Sequence, residues 1–194
     1  MCDFDCFMTQ EILGAFTEEI SAREGKVTET FHQPGQLFVR SVFPQAEEIR
    51  AGDKVQSGVA LRAADTVARV YPYVFRLVCK NGAIMAQASE GREIPNLDSV
   101  PVFEAVSLVR EAVESCCETN TFTTAAEQMR TAAQHPVDVI LTMMPFLSRL
   151  TSLGPELARQ IFERFFHEND RTRFGFMNAV TSMARDRSAG LPLR

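Results

Sequence analysis

Basic and aromatic side chains share the middle of the chain, between residues 54 and 80. Aromatic rings stack on nucleobases and cations neutralise phosphates, which is the chemistry that single-stranded nucleic acid requires of a protein. The candidate set for such binding is Lys54, Arg62, Arg69, Tyr71, Tyr73, Arg76 and Lys80. The alternative interpretation is a solvated outer face of a sheet whose aromatic residues belong to the core.

The distribution of charge favours this middle region only modestly. The chain has 194 residues and a formal net charge of −5, which excludes a uniformly basic nucleic-acid coat. Residues 23–92 carry ten basic and seven acidic side chains, whereas residues 1–22 and 93–194 are both net acidic. Arg69 and Arg76 are seven residues apart, so they fall on opposite faces of an unbroken strand, although a bulge at Pro72 would alter that.

No catalytic constellation is evident. The three histidines are isolated, no Gly-x-Ser-x-Gly or glycine-rich phosphate loop is present, and adjacent carboxylates do not define a cleft. The cysteines are Cys2, Cys6, Cys79, Cys116 and Cys117. Zinc ligands are usually paired with two residues between them, and no two of these cysteines have that spacing. We therefore predict no catalytic residue, no metal site and no cofactor, with the cysteines as reduced thiols.

The chain also lacks the signals of export and membrane insertion. Its first residues are acidic and no stretch of about 18 apolar residues occurs, so we expect a soluble, cytoplasmic protein with no membrane partner.

Hydrophobic periodicity divides the chain into an N-terminal helix (1–25), a strand-rich part (26–95), a helical part (96–187) and a tail (188–194). The fold class predicted from this order is α+β, as one domain with an antiparallel sheet and a C-terminal helical half packed on it. Strands are predicted at 27–31, 36–43, 54–61, 68–79 and 83–85, and Pro72 indicates an edge, a bulge or a break. Helices are predicted over 7–23, 102–118, 123–134 and 137–152, from 155 onward, and after Thr172.

Two segments resemble a known family. They are residues 52–61 continuing to 73–82, and residues 174–181. Together they are similar to the phage- and plasmid-like proteins gathered as "domain of unknown function nine-three-two", over about residues 50 to 182. The residues that match the family motifs are Arg76, Cys79, Asn81, Gly82, Asn178 and Thr181. The resemblance implies an association with mobile elements and with DNA transactions, and it implies no catalytic residues.

Two motif positions also have structural explanations. Asn81-Gly82 is typical of a hairpin turn. Asn178 and Thr181 lie on one helix face, where they either form buried hydrogen bonds, as caps or bridges to the sheet, or contact a ligand.

Three functional hypotheses follow. The first is a non-catalytic protein that binds single-stranded DNA or RNA through a basic sheet face, with homo-oligomerisation along the strand raising its avidity. The second is a protein-interaction module, an inhibitor or adaptor acting on a host or phage protein, since the helical half is rich in Met and Phe. The third is a hydrolase or nuclease, for which the sequence shows no identifiable catalytic residues.

Overall fold

The elements of the chain follow the predicted order of helix, strands and helices. The structure is a computed structural model that describes residues 6–64, 66–77, 84–86, 91–118, 120–138, 143, 145–146 and 154–188. The helices are α1 (Cys6–Ala22), α2 (Val102–Glu118), α3 (Thr121–Gln134), α4 (Pro155–His167) and α5 (Arg173–Ser188). The strands are β1 (Lys26–Gln33), β2 (Gln36–Val42), β3 (Ala46–Arg50), β4 (Asp53–Ala64), β5 (Val67–Arg76), β6 (Ile84–Ala86) and β7 (Arg92–Ile94). The α+β class is thereby confirmed.

The seven strands form one sheet in the order β1-β2-β4-β5-β6, with β3 paired to β4 and β7 paired to β5. The β1–β2 hairpin turns at Pro34 and Gly35, and the positive φ of Gly35, 76°, is one that glycine adopts readily. Gly52 makes the β3–β4 turn with a φ of 77°. The first turn lies between the strands predicted at 27–31 and 36–43, and the second lies just before the strand predicted at 54–61.

Two strands were missed, and of the three alternatives predicted at Pro72 the break is excluded. Strand β3 is short and contains adjacent glutamates, and β7 has three residues, so neither shows a clear strand pattern. Pro72 does not break its strand, since β5 continues through it to Arg76. The pairing of β5 with β7 ends at Val70, two residues before the proline that has no N–H to donate.

Contacts divide the chain into two compact units. Unit 1 comprises residues 1–47, 55–75 and 85–123, and unit 2 comprises residues 48–54, 76–84 and 124–194. The segments that form each unit are not contiguous in sequence.

Unit 1 is built around helices α1 and α2 and the sheet. Helix α1 contributes Ile12, Phe16 and Ile20 to the core, and all three are fully buried. The sheet contributes alternate residues of β2, β4 and β5, which are Leu37, Val39, Val59, Leu61, Ala63, Ala68 and Val70. Helix α2 contributes one stripe of small apolar residues, which are Ala105, Val109, Ala112 and Val113. One face of the sheet is therefore committed to these helices.

Unit 2 has its own apolar cluster, formed mainly by α4 and α5. Ile161 and Phe165 of α4 pack with Phe176 and Ala179 of α5. The ring of Phe176 meets those of Phe146 and Phe165 edge to face at centroid distances of 4.9 and 5.3 Å, the geometry that aromatic pairs prefer.

The predicted helix over 137–152 and the predicted tail at 188–194 lie largely outside the described residues. None of the described helices combines the length and hydrophobicity that a membrane span needs.

Candidate functional site

The face of the sheet that points away from α1 and α2 in unit 1 carries aromatic and arginine side chains. Side chains alternate along a strand, and the helix-side core takes Leu61 of β4 and Val70 of β5. Phe38 lies directly across from Arg62, on the other side of the sheet from that core. We call this surface the aromatic–arginine face, defined by Phe31, Phe38, Arg40, Arg62, Arg69, Tyr71, Tyr73 and Phe75.

Tyr73 is a structural member of this face. Its ring lies over Gly58, where a Cβ would come within 2.5 Å of the ring, and its hydroxyl donates to the backbone oxygen of Ser41 at 2.6 Å. Burial raises the pKa of the Tyr73 phenol well above its usual range. The candidate binding residue Tyr73 is only 3% exposed, so its ring does not offer a stacking surface.

The other aromatic residues of the face are accessible. Phe31 is 39% exposed, and Phe38, Tyr71 and Phe75 are half-buried. Burial raises the pKa of Tyr71, and the positive charges of Arg62 and Arg40 oppose that rise. The Tyr71 phenol is therefore neutral at physiological pH, and it lies within the electrostatic reach of both arginines.

Two of the three arginines on the face are already paired. Arg40 is 2.6 Å from Glu29 and its guanidinium lies 5.9 Å from the centroid of the Phe75 ring. Arg69 donates through Nε to Glu93 at 2.8 Å. Arg62 is exposed and has no carboxylate within ion-pair distance among the residues that the structure describes.

The remaining candidate binding residues are elsewhere. Lys54 is exposed but belongs to unit 2. Arg76 is also in unit 2, is only 8% exposed and pairs with Asp53. Lys80 lies outside the described residues, as do the motif residues Cys79, Asn81 and Gly82. The structure thus brings Arg62, Arg69 and Tyr71 together on an accessible face, but it does not place Arg76 with them.

Arg76 takes part in a buried ion-pair cluster within unit 2. Its Nε and Nη2 atoms donate to the two carboxylate oxygens of Asp53 at 2.7 and 2.5 Å. Arg50 is 3.4 Å from Asp53 and 2.7 Å from Asp170. Both guanidinium groups lie over the Phe174 ring, at 5.4 Å for Arg50 and 5.2 Å for Arg76. Two positive and two negative charges balance here, which is the arrangement of a structural network.

Asp170 also organises the start of α5. Its Oδ1 accepts hydrogen bonds from the Thr172 hydroxyl at 2.7 Å and the Thr172 N–H at 3.1 Å. Burial acts to raise the pKa of Asp170, but these hydrogen bonds and the charge of Arg50 outweigh it, so the pKa is lowered. Gly175 permits this loop, since a Cβ there would lie 2.3 Å from the Asp170 backbone oxygen.

The second family-motif segment lies within α5. Asn178 is 4% exposed, and its Oδ1 atom has no hydrogen-bond partner among the residues that the structure describes. Thr181 donates its hydroxyl to the Met177 carbonyl of its own helix at 3.1 Å. The Thr181 hydroxyl therefore makes an intrahelical bond rather than a bridge to the sheet.

Charge differs sharply between the two units. By sequence, unit 1 contains 16 acidic and seven basic residues, a net charge of −9, and unit 2 contains nine acidic and 13 basic residues, a net charge of +4. The aromatic–arginine face lies on the acidic unit. The long-range field of that unit opposes a polyanion at this face.

Sequence reasoning missed Phe31, Phe38 and Arg40 as members of the face. The alternation over residues 36–43 predicted the strand, but only cross-strand register shows that its outward residues adjoin those of β4. In the described part of the chain no three His, Cys, Asp or Glu side chains are grouped as metal ligands would be.

Comparison with known proteins gives no relative: no family model, no curated protein and no solved structure matches the chain. The resemblance stated above therefore stays a prediction.

Proposed function

We propose that the chain is a protein-interaction module, an adaptor or inhibitor that binds a protein partner through the aromatic–arginine face. The observation that carries the proposal is the accessible grouping of Phe31, Phe38, Tyr71 and Arg62 on one sheet face of unit 1. Aromatic residues and arginine are the types enriched at the energetic centres of protein interfaces.

The electrostatics of the face support a protein over a polyanion. Arg40 and Arg69 have carboxylate partners, so the face itself carries only a small positive excess, contributed by Arg62. A protein interface needs local complementarity, whereas nucleic-acid affinity grows with the number of phosphates neutralised. One arginine without a carboxylate partner in the described part of the chain, on a unit of net charge −9, suits the first requirement better than the second.

The test is partner capture with face variants. The tagged chain is purified after nuclease treatment from the cells that produce it, beside Arg62→Glu and Tyr71→Ala. A matched control is Phe103→Ala, because Phe103 is 77% exposed on α2, away from the face. We expect a stoichiometric protein partner with the unchanged chain and with the control, and at least a tenfold weaker affinity of the purified partner for each face variant.

Binding that is insensitive to both face variants, or the absence of any stoichiometric partner, would contradict the proposal. Loss of binding by Phe103→Ala alone would assign the interface to α2 instead.

A second candidate, single-stranded nucleic acid, is favoured by one observation. Arg62 is exposed, lies opposite Phe38 on the neighbouring strand, and its charge acts to lower the pKa of Tyr71. A cation and two aromatic rings therefore lie close together, as the binding of stacked bases requires. Fluorescence anisotropy of a labelled oligonucleotide of about 20 nucleotides tests this at low and high salt. Salt-sensitive binding that Arg62→Glu abolishes would support it, and the absence of binding at low salt would remove it.

A further inference from the structure

Strand β1 ends the sheet with an unusually open edge. In the described part of the chain it pairs with a strand on one side only, and six of its eight residues are exposed. Unpaired edge strands are templates for added strands, and proteins usually protect them with proline, lysine or a bulge. Here the bulge lies between Val27 and Glu29 and the only lysine is Lys26, so protection is confined to the start of the strand.

The rest of β1 is regular. From Glu29 to Gln33 each residue pairs in unbroken register with β2, and this segment contains no proline or glycine. Phe31 lies in its centre and is one of four large apolar side chains that are exposed among the described residues. The backbone of the segment can therefore accept another strand, and a central aromatic residue is available for burial.

We propose that a second copy of this chain pairs with this edge, antiparallel, about a two-fold axis at Phe31. Residues opposite each other in an antiparallel pair share a face, so an axis at Phe31 places the two Phe31 rings side by side. It also places Glu29 opposite Gln33 of the second copy, and Thr30 opposite His32. No like charges meet in this register, and both copies extend the same outer face of the sheet.

An axis one residue earlier is less favourable. With the axis at Thr30, Glu29 lies opposite Phe31 of the second copy, which places a carboxylate against an aromatic ring. The strand therefore complements itself best at Phe31, and a self-complementary patch is what a two-fold dimer requires.

The dimer is small and consequently weak. Five paired residues bury less than a standard interface of about 1,200 Å². We expect association between about 10 µM and 1 mM, measured by sedimentation equilibrium.

Charge variants at Gln33 test the register. Its side chain donates to Gln36 within the hairpin at 2.9 Å, and both Gln33→Lys and Gln33→Glu replace this amide–amide hydrogen bond with a charged side chain. In the dimer, residue 33 of each copy lies opposite Glu29 of the other. Gln33→Lys therefore creates two pairs of opposite charge and should lower the dissociation constant about two- to tenfold. Gln33→Glu creates two pairs of like charge and should raise the dissociation constant by a similar factor.

Phe31→Lys places two ammonium groups at the axis and should abolish association. Phe103→Lys makes the same chemical change on α2 and should leave it unaltered. A wild-type chain that stays monomeric at about 1 mM, a shift in the same direction for both Gln33 variants, or equal effects of the two phenylalanine variants would overturn the proposal. Phe31 belongs to both surfaces, but self-association is measured on the purified chain alone, so these outcomes are separate from those of partner capture.

Discussion

Arg76 and Arg69 offer a matched test of where the chain uses arginine for structure. Each donates through Nε and Nη2 to one carboxylate, Arg76 to Asp53 and Arg69 to Glu93. The pairs differ in burial: the Arg76 and Asp53 side chains are 10% and 5% exposed, whereas those of Arg69 and Glu93 are 66% and 49% exposed. Substitution of either arginine by methionine keeps an unbranched apolar stem and removes the charged guanidinium group.

The expected cost follows from burial. Removing one partner of a buried pair leaves the other charge desolvated, which costs about 3–5 kcal/mol. Arg50 remains 3.4 Å from Asp53 and compensates in part, so we expect about 3 kcal/mol for Arg76→Met. Exposed pairs are worth about 1 kcal/mol or less, which sets the expectation for Arg69→Met. Arg76→Lys should lie between them, because lysine cannot form both bonds.

Urea unfolding followed by far-UV circular dichroism measures these differences, since the chain has no tryptophan. A double-mutant cycle of Arg76→Met with Asp53→Ala should give a coupling free energy of about 2–3 kcal/mol. Amide hydrogen exchange in α5 reports on unit 2 separately.

Equal losses below about 1 kcal/mol for Arg76→Met and Arg69→Met would refute the reasoning. Arg76 would then be a surface cation, available for the nucleic-acid role that the sequence suggested.

Three further predictions concern single positions. Gly175→Ala should destabilise unit 2 by about 1–3 kcal/mol in urea unfolding, because its Cβ meets the Asp170 carbonyl; Gly14→Ala, whose Cβ meets nothing in α1, should stabilise by about 0.5–1 kcal/mol. Tyr73→Phe should lower the free energy of unfolding by about 1 kcal/mol, because the hydrogen bond to Ser41 is lost. An unchanged free energy of unfolding would contradict the burial of that hydroxyl. Asp170 has a lowered pKa, so its contribution is present above its ordinary pKa and lost as pH falls through the folded value. The stability difference between the unchanged chain and Asp170→Asn should therefore be constant near neutral pH and shrink below about pH 4; a difference that grows on acidification would be inconsistent with the lowered pKa.

Local patterns predicted most of the elements because their periods are strong. The stripe of Ile12, Phe16 and Ile20 predicted α1, and the alternation over residues 36–43 predicted β2. Helix α2 was predicted at its observed bounds. These features depend only on the 3.6- and 2-residue periods of the backbone.

Long-range pairing was beyond the sequence. Nothing local shows that Arg76 meets Asp53, 23 positions earlier, or that Tyr73 reaches across Gly58 to Ser41. The candidate basic set consequently mixed a buried structural arginine with accessible ones. The spacing of Arg69 and Arg76 predicted opposite faces of an unbroken strand, and β5 continues without a break through Pro72.

Hydroxyl-radical footprinting of the captured complex tests the central claim most directly. It reports the accessibility of each aromatic side chain in the free chain and in the complex. Binding through the aromatic–arginine face should protect Phe38, Tyr71 and Phe75 while Phe103 on α2 keeps its reactivity. Protection of Phe103 with unchanged reactivity at Tyr71 and Phe38 would contradict the claim that this face is the interaction surface.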